Sequence, residues 1–336
     1  MRQDRILLAH GSGGTMMREL IEDVFMHDFD DEILSRAEDA AALDLPPGRI
    51  AMSTDTYVVN PLFFPGGDIG RLAVCGTVND VSTAGAEPLY LSVGFILEEG
   101  FPVEDLRRIL VSMHDAAAEA GVRIVTGDTK VVDKGHGDGC FINTTGIGVI
   151  RAGADLSASH CRPGDAVLLS GTLGDHGIAV VSTREGLSFS TDIRTDAAPL
   201  NHLIAAVLDA APDTRCFRDP TRGGLASTLN ELATASGAAI VIEENDVPVH
   251  DQVRGACEML GYDVFQVANE GKMVAVVPAE QASAALEAMR TTQYGENAAI
   301  IGRVDETPAG KVYVHTGFGA NRIMDMLVGE QLPRIC

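Results

Sequence analysis

Residues 68–100 read DIGRLAVCGTVNDVSTAGAEPLYLSVGFILEEG, and the reading of this stretch decides the fold class. With GRIAMSTDTYVV (48–59) ahead of it, the text switches between apolar runs of the β type and helical periods, punctuated by Gly and Asp. The next segment, VEDLRRILVSMHDAAAEAG, sets Val103, Leu106, Ile109, Leu110 and Met113 on one helical face, and Gly121 stops it. VRIVTGDTKVV and FINTTGIGVI then read as strands. Residues 1–150 are therefore expected to form one α/β (α+β) domain, a mixed sheet with helices on one side.

RAGADLSASHCRPGD (151–165) is polar and turn-rich and carries Pro163-Gly164, which fits a domain boundary. After it the grammar repeats. AVLLSG reads as a strand, TLGDHGIAVVSTREG as a loop and helix, DPTRGGLASTLNELATASG as a capped helix, and AAIVIEE and KMVAVVP as strands. This second α/β domain runs to about residue 305, and a short helix expected in the remainder extends it to 326. Residues 327–336 are read as a mobile tail.

A length of 336 residues accommodates two domains, and 46% hydrophobic content supplies two ordinary cores. Thirty-six glycines beside 5% aromatics and no Trp favour tight turns and small-residue packing over an aromatic-rich sandwich. The formal charge of −23 opposes attraction to nucleic acid or an anionic membrane. No apolar run approaches the ~18 residues of a membrane span, and ILLA after Arg5 is too short for a leader core, so a cytoplasmic protein is expected.

Cys75, Cys140, Cys161, Cys216, Cys257 and Cys336 form no CxxC pair and no metal-ligand spacing, which argues against a disulfide framework or a zinc site. Cys336 is the last residue, in LPRIC. A prenylation signal needs its Cys four places from the end, so lipidation does not account for this thiol.

HGSGG (10–14) precedes the helical run TMMRELIEDVF, so Gly11, Ser12, Gly13 and Gly14 offer backbone N–H groups to a phosphate, or form a plain loop. No Gly-Lys-Ser/Thr follows, so it is not a P-loop. Asp55, Asp80 and Asp128 stand among small residues and supply the few carboxylate oxygens that nucleotide-bound Mg²⁺ needs; singly, each also reads as a cap or turn residue. Asn79 is placed to orient Asp80 or to ligate, and Lys130 to neutralise phosphate or move a proton. Glu270 in NEGK enters an apolar strand as a candidate base or a solvated turn. DPTRGG offers Asp219 and Arg222 beside two glycines, and His10, His136, His176 and His315 are taken as structural or surface residues.

Taken together, HGSGG, the block STDTYVVNPLFFPGGDIGRLAVCGTVND, TGDTKVV, DPTRGG, NEGK and the ending PRIC resemble the HypE family of hydrogenase maturation factors. That family lies in the superfamily of aminoimidazole ribonucleotide synthetase and selenophosphate synthetase. The resemblance spans essentially the whole chain. It implies a PurM-like fold whose N-terminal domains build a dimer-interface barrel, with ATP and Mg²⁺ at the dimer cleft. It implies ATP contacts at Gly11 to Gly14, Asn79 and Lys130 and metal contacts at Asp55, Asp80 and Asp128. Cys336 would be the carrier that receives a carbamoyl group from a HypF-type carbamoyltransferase. ATP-dependent dehydration to a thiocyanate, with Glu270 and Lys130 as proton acceptors, would then supply cyanide to iron on a HypC–HypD complex. The terminal carboxylate beside Cys336 is expected to disfavour the thiolate, with Arg334 offsetting this only partly, which suits an acceptor that is activated inside a partner's site.

Overall fold

The computed structural model describes residues 3–187, 193–327, 329 and 332–336. Its first domain opens with helix α1 (Thr15–Leu20), a wider helical turn at Ile21–Met26, and α2 (His27–Phe29). Strand β1 (Ile50–Tyr57) and the small hairpin β2 (Phe63–Phe64) and β3 (Gly67–Asp68) lead into α3 (Ile69–Thr83), followed by β4 (Ala86–Glu98), α4 (Val103–Ala120), β5 (Arg123–Val132) and β6 (Cys140–Ile150). The sheet order is β1-β6-β4-β5, antiparallel except for the β4–β5 pair. The parallel pair is a consequence of α4, whose crossover returns the chain in the same direction.

Val103, Leu106, Ile109, Leu110 and Met113 are all buried, and Gly121 ends α4 in the left-handed region at φ 73°. α3 differs, because its buried residues lie on every side. It packs on α4 and on the strands of the first sheet, and also touches elements of the second domain. A helix apolar all round belongs in the middle of a molecule, and this one forms the wall shared by both domains. Asp68 starts it by accepting hydrogen bonds from the Gly70 and Arg71 amides. The opposite face of the sheet is left open, with Met52 70% exposed and Ile50 and Ile96 also outward.

The second domain contains β7 (Ala166–Leu169), α5 (Asp175–Arg184), α6 (Asn201–Ala210), β8 (Cys216–Arg218), α7 (Gly224–Ser236), β9 (Ala239–Glu243), α8 (Asp251–Leu260), β10 (Val274–Val277), α9 (Ala282–Arg290), β11 (Ala299–Asp305), β12 (Val312–His315) and β13 (Asn321–Ile323). Its sheet runs β13-β12-β9-β11-β7-β10-β8. The helix expected near the C-terminus is absent among the described residues. Alternation in VYVH wins instead: Val312 and Val314 are buried and the segment pairs with β9, and β13 folds back on it.

Gly76 lets α3 press against β1. A Cβ there would stand 2.2 Å from the Tyr57 hydroxyl oxygen. Gly76→Ala is expected to lower stability by about 1–3 kcal/mol, read as a fall in the urea midpoint. Adding Tyr57→Phe should recover part of the loss, because the atom in the way is the phenolic oxygen; no recovery would locate the strain elsewhere.

Candidate active site

The chain end folds back into the molecule. The Val58 amide donates to the Cys336 carbonyl (3.0 Å) and the Asn60 amide to that of Arg334 (3.3 Å), so the last residues run alongside the segment that follows β1. Ile335 is buried and joins the first domain's core. The thiol of Cys336 lies at one wall of a cavity of about 310 Å³ that Arg222, Gly223, Ser227 and Leu332 help to line.

Around this thiol the charges are mostly negative. Burial first, and then the charge of Glu270, push the Cys336 thiol up to about 12, while Arg222 pulls the other way. The direction agrees with an acceptor that is not a thiolate, but burial and Glu270 bring it about, not the terminal carboxylate. Glu270 is 4% exposed, its Oε1 has no hydrogen-bond partner, and burial together with Asp219 and Asp196 holds its carboxyl well above the usual range. Burial likewise raises Asp219 to about 7 and lifts Asp55 and Asp80. The Tyr57 hydroxyl donates to Asp55 (3.3 Å) and the Ser53 hydroxyl to Asp80 (2.8 Å).

The backbone of Glu270 is fixed from two sides. Its amide donates to Asp196 Oδ1 (3.0 Å), and Asp196 in turn meets the Lys272 ammonium at 3.0 Å. Its carbonyl accepts from Asn79 Nδ2 (3.4 Å), which also donates to the Ala198 carbonyl (3.0 Å), while Asn79 Oδ1 accepts from the Leu200 amide (2.7 Å). Asn79 was expected to orient Asp80 or to ligate. Both ends of its amide are instead committed to backbone groups of the second domain and the side chain is 1% exposed, so it is a staple between domains.

The set Asp55, Asp80 and Asp128 does not converge within one chain. Asp55 faces α3, as shown by its cross-strand partner Thr144, whose hydroxyl donates to the Ala73 carbonyl of that helix (2.9 Å). Asp128 is opposite Gly94, one residue out of phase with Val93, Phe95 and Thr129, which are buried, so it leaves the open face. β5 and β1 are moreover the two edges of the sheet, three inter-strand steps or roughly 14 Å apart. Lys130 shares the open face with Asp128 and is held by it at 2.6 Å, so the expected partnership of Lys130 with Glu270 does not occur within one chain.

The glycine loop lies near β5, since a Cβ on Gly11 would meet the Val131 amide nitrogen at 2.9 Å. Beneath it His10 is buried, and its Nδ1 accepts from the Leu7 amide at 2.9 Å. Asp219 and Arg222 join the thiol, although DPTRGG alone was equally a helix start. His176, read as structural, touches the tail, donating or accepting at 2.8 Å from the Ile335 carbonyl through Nε2; as carbonyls only accept, Nε2 carries the proton. Nothing in the local text of GDHG announces a contact 159 residues away.

Among the described residues no three Asp, Glu, His or Cys side chains stand where they would hold a bare metal ion. Asp55 and Asp80 remain a suitable pair for a cation that arrives with phosphates, since Mg²⁺ needs only one or two carboxylates when phosphates and waters complete its shell. Burial is the main cause of their raised affinity for protons, with nearby arginines acting the other way.

With this architecture in view, residues 37–150 match the N-terminal domain and residues 162–315 the C-terminal domain of the AIR synthase related proteins. The chain is 55% identical over 336 residues to the carbamoyl dehydratase HypE of Azotobacter vinelandii, covering 100% of this chain and 98% of that one. It is 46% identical to that of Escherichia coli K12, over 99% of this chain and 100% of the other. A crystal structure of the hydrogenase maturation protein HypE in complex with ATP superposes with a TM-score of 0.95 at 52% identity, covering 98% and 99% of the two chains. A HypE–HypF complex contains a chain with a TM-score of 0.81 at 52% identity, covering 92% and 99%. The fold class is thus that of the AIR synthase related proteins. Within it, the chain belongs to the HypE family of carbamoyl dehydratases.

The electrostatics around Cys336 predict its reactivity. Alkylation of this thiol should have its midpoint far above the ~8.5 of a free cysteine, shifting down in Glu270→Gln and up in Arg222→Met. Iodoacetamide labelling across pH, read by peptide mass spectrometry, measures both shifts. An ordinary midpoint in the unmodified protein would mean that the thiol is not held beside these carboxylates.

Proposed function

We propose that this protein is an ATP-dependent carbamoyl dehydratase that converts an S-carbamoyl group on Cys336 into an S-cyanate. The observation that supports it best is the terminal thiol, drawn back into the molecule, which feels the charge of Glu270, a buried carboxyl whose Oε1 has no hydrogen-bond partner. The relatives carry the name of this activity, and the solved ATP complex of a 52% identical chain supports ATP as co-substrate.

The reaction asks for two things. The carbamoyl oxygen is a poor leaving group until the γ-phosphoryl of ATP is transferred to it, after which the C–O bond breaks and the oxygen departs as phosphate. The nitrogen gives up two protons as C–N becomes a triple bond. Glu270 is the acceptor of one of these protons in this reading and the departing phosphate of the other: burial and its acidic neighbours raise its proton affinity, so that once ionised it is a stronger base than a solvated carboxylate. Arg222 faces the same thiol and stabilises negative charge developing on the carbamoyl oxygen. Asp55 and Asp80 would hold Mg²⁺, which supplies charge neutralisation and alignment for phosphoryl transfer.

The apolar side chains on the open face of the first sheet suit pairing with a second copy into a barrel, and only such a partner would bring another Asp128 and Lys130, with Gly11 to Gly14 nearby, toward this site. A HypF-type carbamoyltransferase would load Cys336, in keeping with the HypE–HypF complex of a similar chain, and a HypC–HypD pair would take the cyanide for the iron of a [NiFe]-hydrogenase. No described helix is long and apolar enough to cross a membrane, and the proposed site of action is the cytoplasm.

Mixed with the carbamoyltransferase, carbamoyl phosphate and MgATP, the protein should gain one carbamoyl group on Cys336 and then lose one water, by intact and peptide mass spectrometry. Glu270→Gln should still be carbamoylated but dehydrate about 10²–10⁴-fold more slowly. The rate should rise with pH as Glu270 ionises, and Asp219→Asn, by removing a negative neighbour, should move that rise to lower pH. Carbamoylation without ATP-dependent water loss would reduce the protein to a carrier. Met52→Asp should give a monomer in sedimentation; an unchanged dimer would place the interface elsewhere.

A further inference from the structure

The proposed chemistry gives Cys336 two incompatible demands. To receive its carbamoyl group it must reach the active site of another protein, and to be dehydrated it must lie beside Glu270. The docked tail is held on one side by the segment after β1, through the Val58 and Asn60 amides and the Arg334 Nε bond to the Val58 carbonyl, and on the other by helix α5. His176, Val180 and Arg184 recur every four residues along α5 and so form one stripe. His176 donates from Nε2 to the Ile335 carbonyl (2.8 Å) and is itself held at Nδ1 by Thr195 (2.8 Å). Val180 packs in the core cluster that contains Ile335.

Arg184 reaches both strands of the docked pair at once. Its Nε donates to the Asn60 carbonyl (2.8 Å), Nη1 to Pro333 (2.6 Å) and Nη2 to Arg334 (2.7 Å). A guanidinium is suited to this because its donors diverge in one rigid plane, whereas an ammonium is a single point of charge. Gly177, on the same helix, leaves room for Leu332, whose Cδ1 would stand 3.1 Å from an added Cβ. One feature opposes the grip: Arg334 lies close enough to Arg184 for their charges to repel, with Arg334 anchored in turn to Asp138. Like charges across the contact suit a tail that must also leave.

Resting on the dehydratase reading, we propose that α5 is the dock of the C-terminal tail and that Arg184 is a positioning residue, which sets the balance between docked Cys336 and the extended state needed for loading.

The test compares wild type, Arg184→Ala and Arg184→Lys as full-length proteins. Iodoacetamide labelling of Cys336 is read by peptide mass spectrometry, with the buried Cys75 and Cys140 as internal controls. Carbamoyl transfer and single-turnover dehydration are measured on the same preparations. Loss of charge-assisted bonds to three carbonyls should raise labelling of Cys336 in Arg184→Ala by about tenfold or more, with Cys75 and Cys140 still protected. Carbamoyl transfer should hold or quicken while dehydration slows, with Arg184→Lys between the two. A merely structural role would slow both half-reactions together. Labelling of Cys336 equal to wild type in Arg184→Ala, or in Arg184→Lys should the alanine variant not fold, would overturn the proposal. If wild-type carbamoylated protein fails to dehydrate, the functional reading falls, and the labelling comparison still decides whether Arg184 holds the tail.

Discussion

The arrangement around the chain end depends on one buried amide. Asn79 sits on α3, the helix shared by both domains, and its side chain donates twice, to the Ala198 and Glu270 carbonyls, and accepts from the Leu200 amide. A buried amide with a lost partner is costly, so these bonds hold the second domain in one position against the first. Arg71, about two helical turns ahead of it, adds a bond to the Ala197 carbonyl and an ion pair with Glu119 on α4. The domain interface and the placement of Glu270 are therefore set by the same contacts.

From that placement the electrostatics follow. Glu270, Asp219, Asp55 and Asp80 are drawn together with Arg222 as the cation that acts on each of Glu270, Asp55 and Asp80. Desolvated carboxylates near one another hold protons more tightly, which makes a base from a residue that would be fully ionised and weakly basic in water. Burial first, and then the charge of Glu270, favour the protonated form of the Cys336 thiol. Such an environment suits a sulfur that carries a group rather than one that attacks unaided. It also gives incoming cations, whether magnesium or a partner's lysine, a reason to enter.

Much of this architecture could be read from local text. The stripe Val103 to Met113 and the glycine at 121 specify α4 because burial and helix termination are decided within a few residues. The strands around 123–132 and 140–150 are equally local. The short C-terminal helix was misread because VYVH and NRI become strands only through neighbours: β9 lies beside one, and a turn brings the other back. Asp128 and Lys130 looked like members of one acidic site because sequence does not state which face of which edge strand a side chain leaves.

Composition, periodicity and motif by themselves determined two α/β domains and the candidate status of Glu270 and Cys336. Tertiary structure decided which of those residues meet. It brought the last residue of the chain to Glu270, turned Asn79 from a ligand into a staple, split the aspartates between opposite faces of one sheet, and gave His176 and Arg184 a role as contacts of the tail. The physical reason is range. Helix and strand periods are settled by neighbours a few residues apart, whereas the grip on the carbonyls of the tail comes from side chains about 150 residues away along the chain and the field at Cys336 from groups equally out of local range.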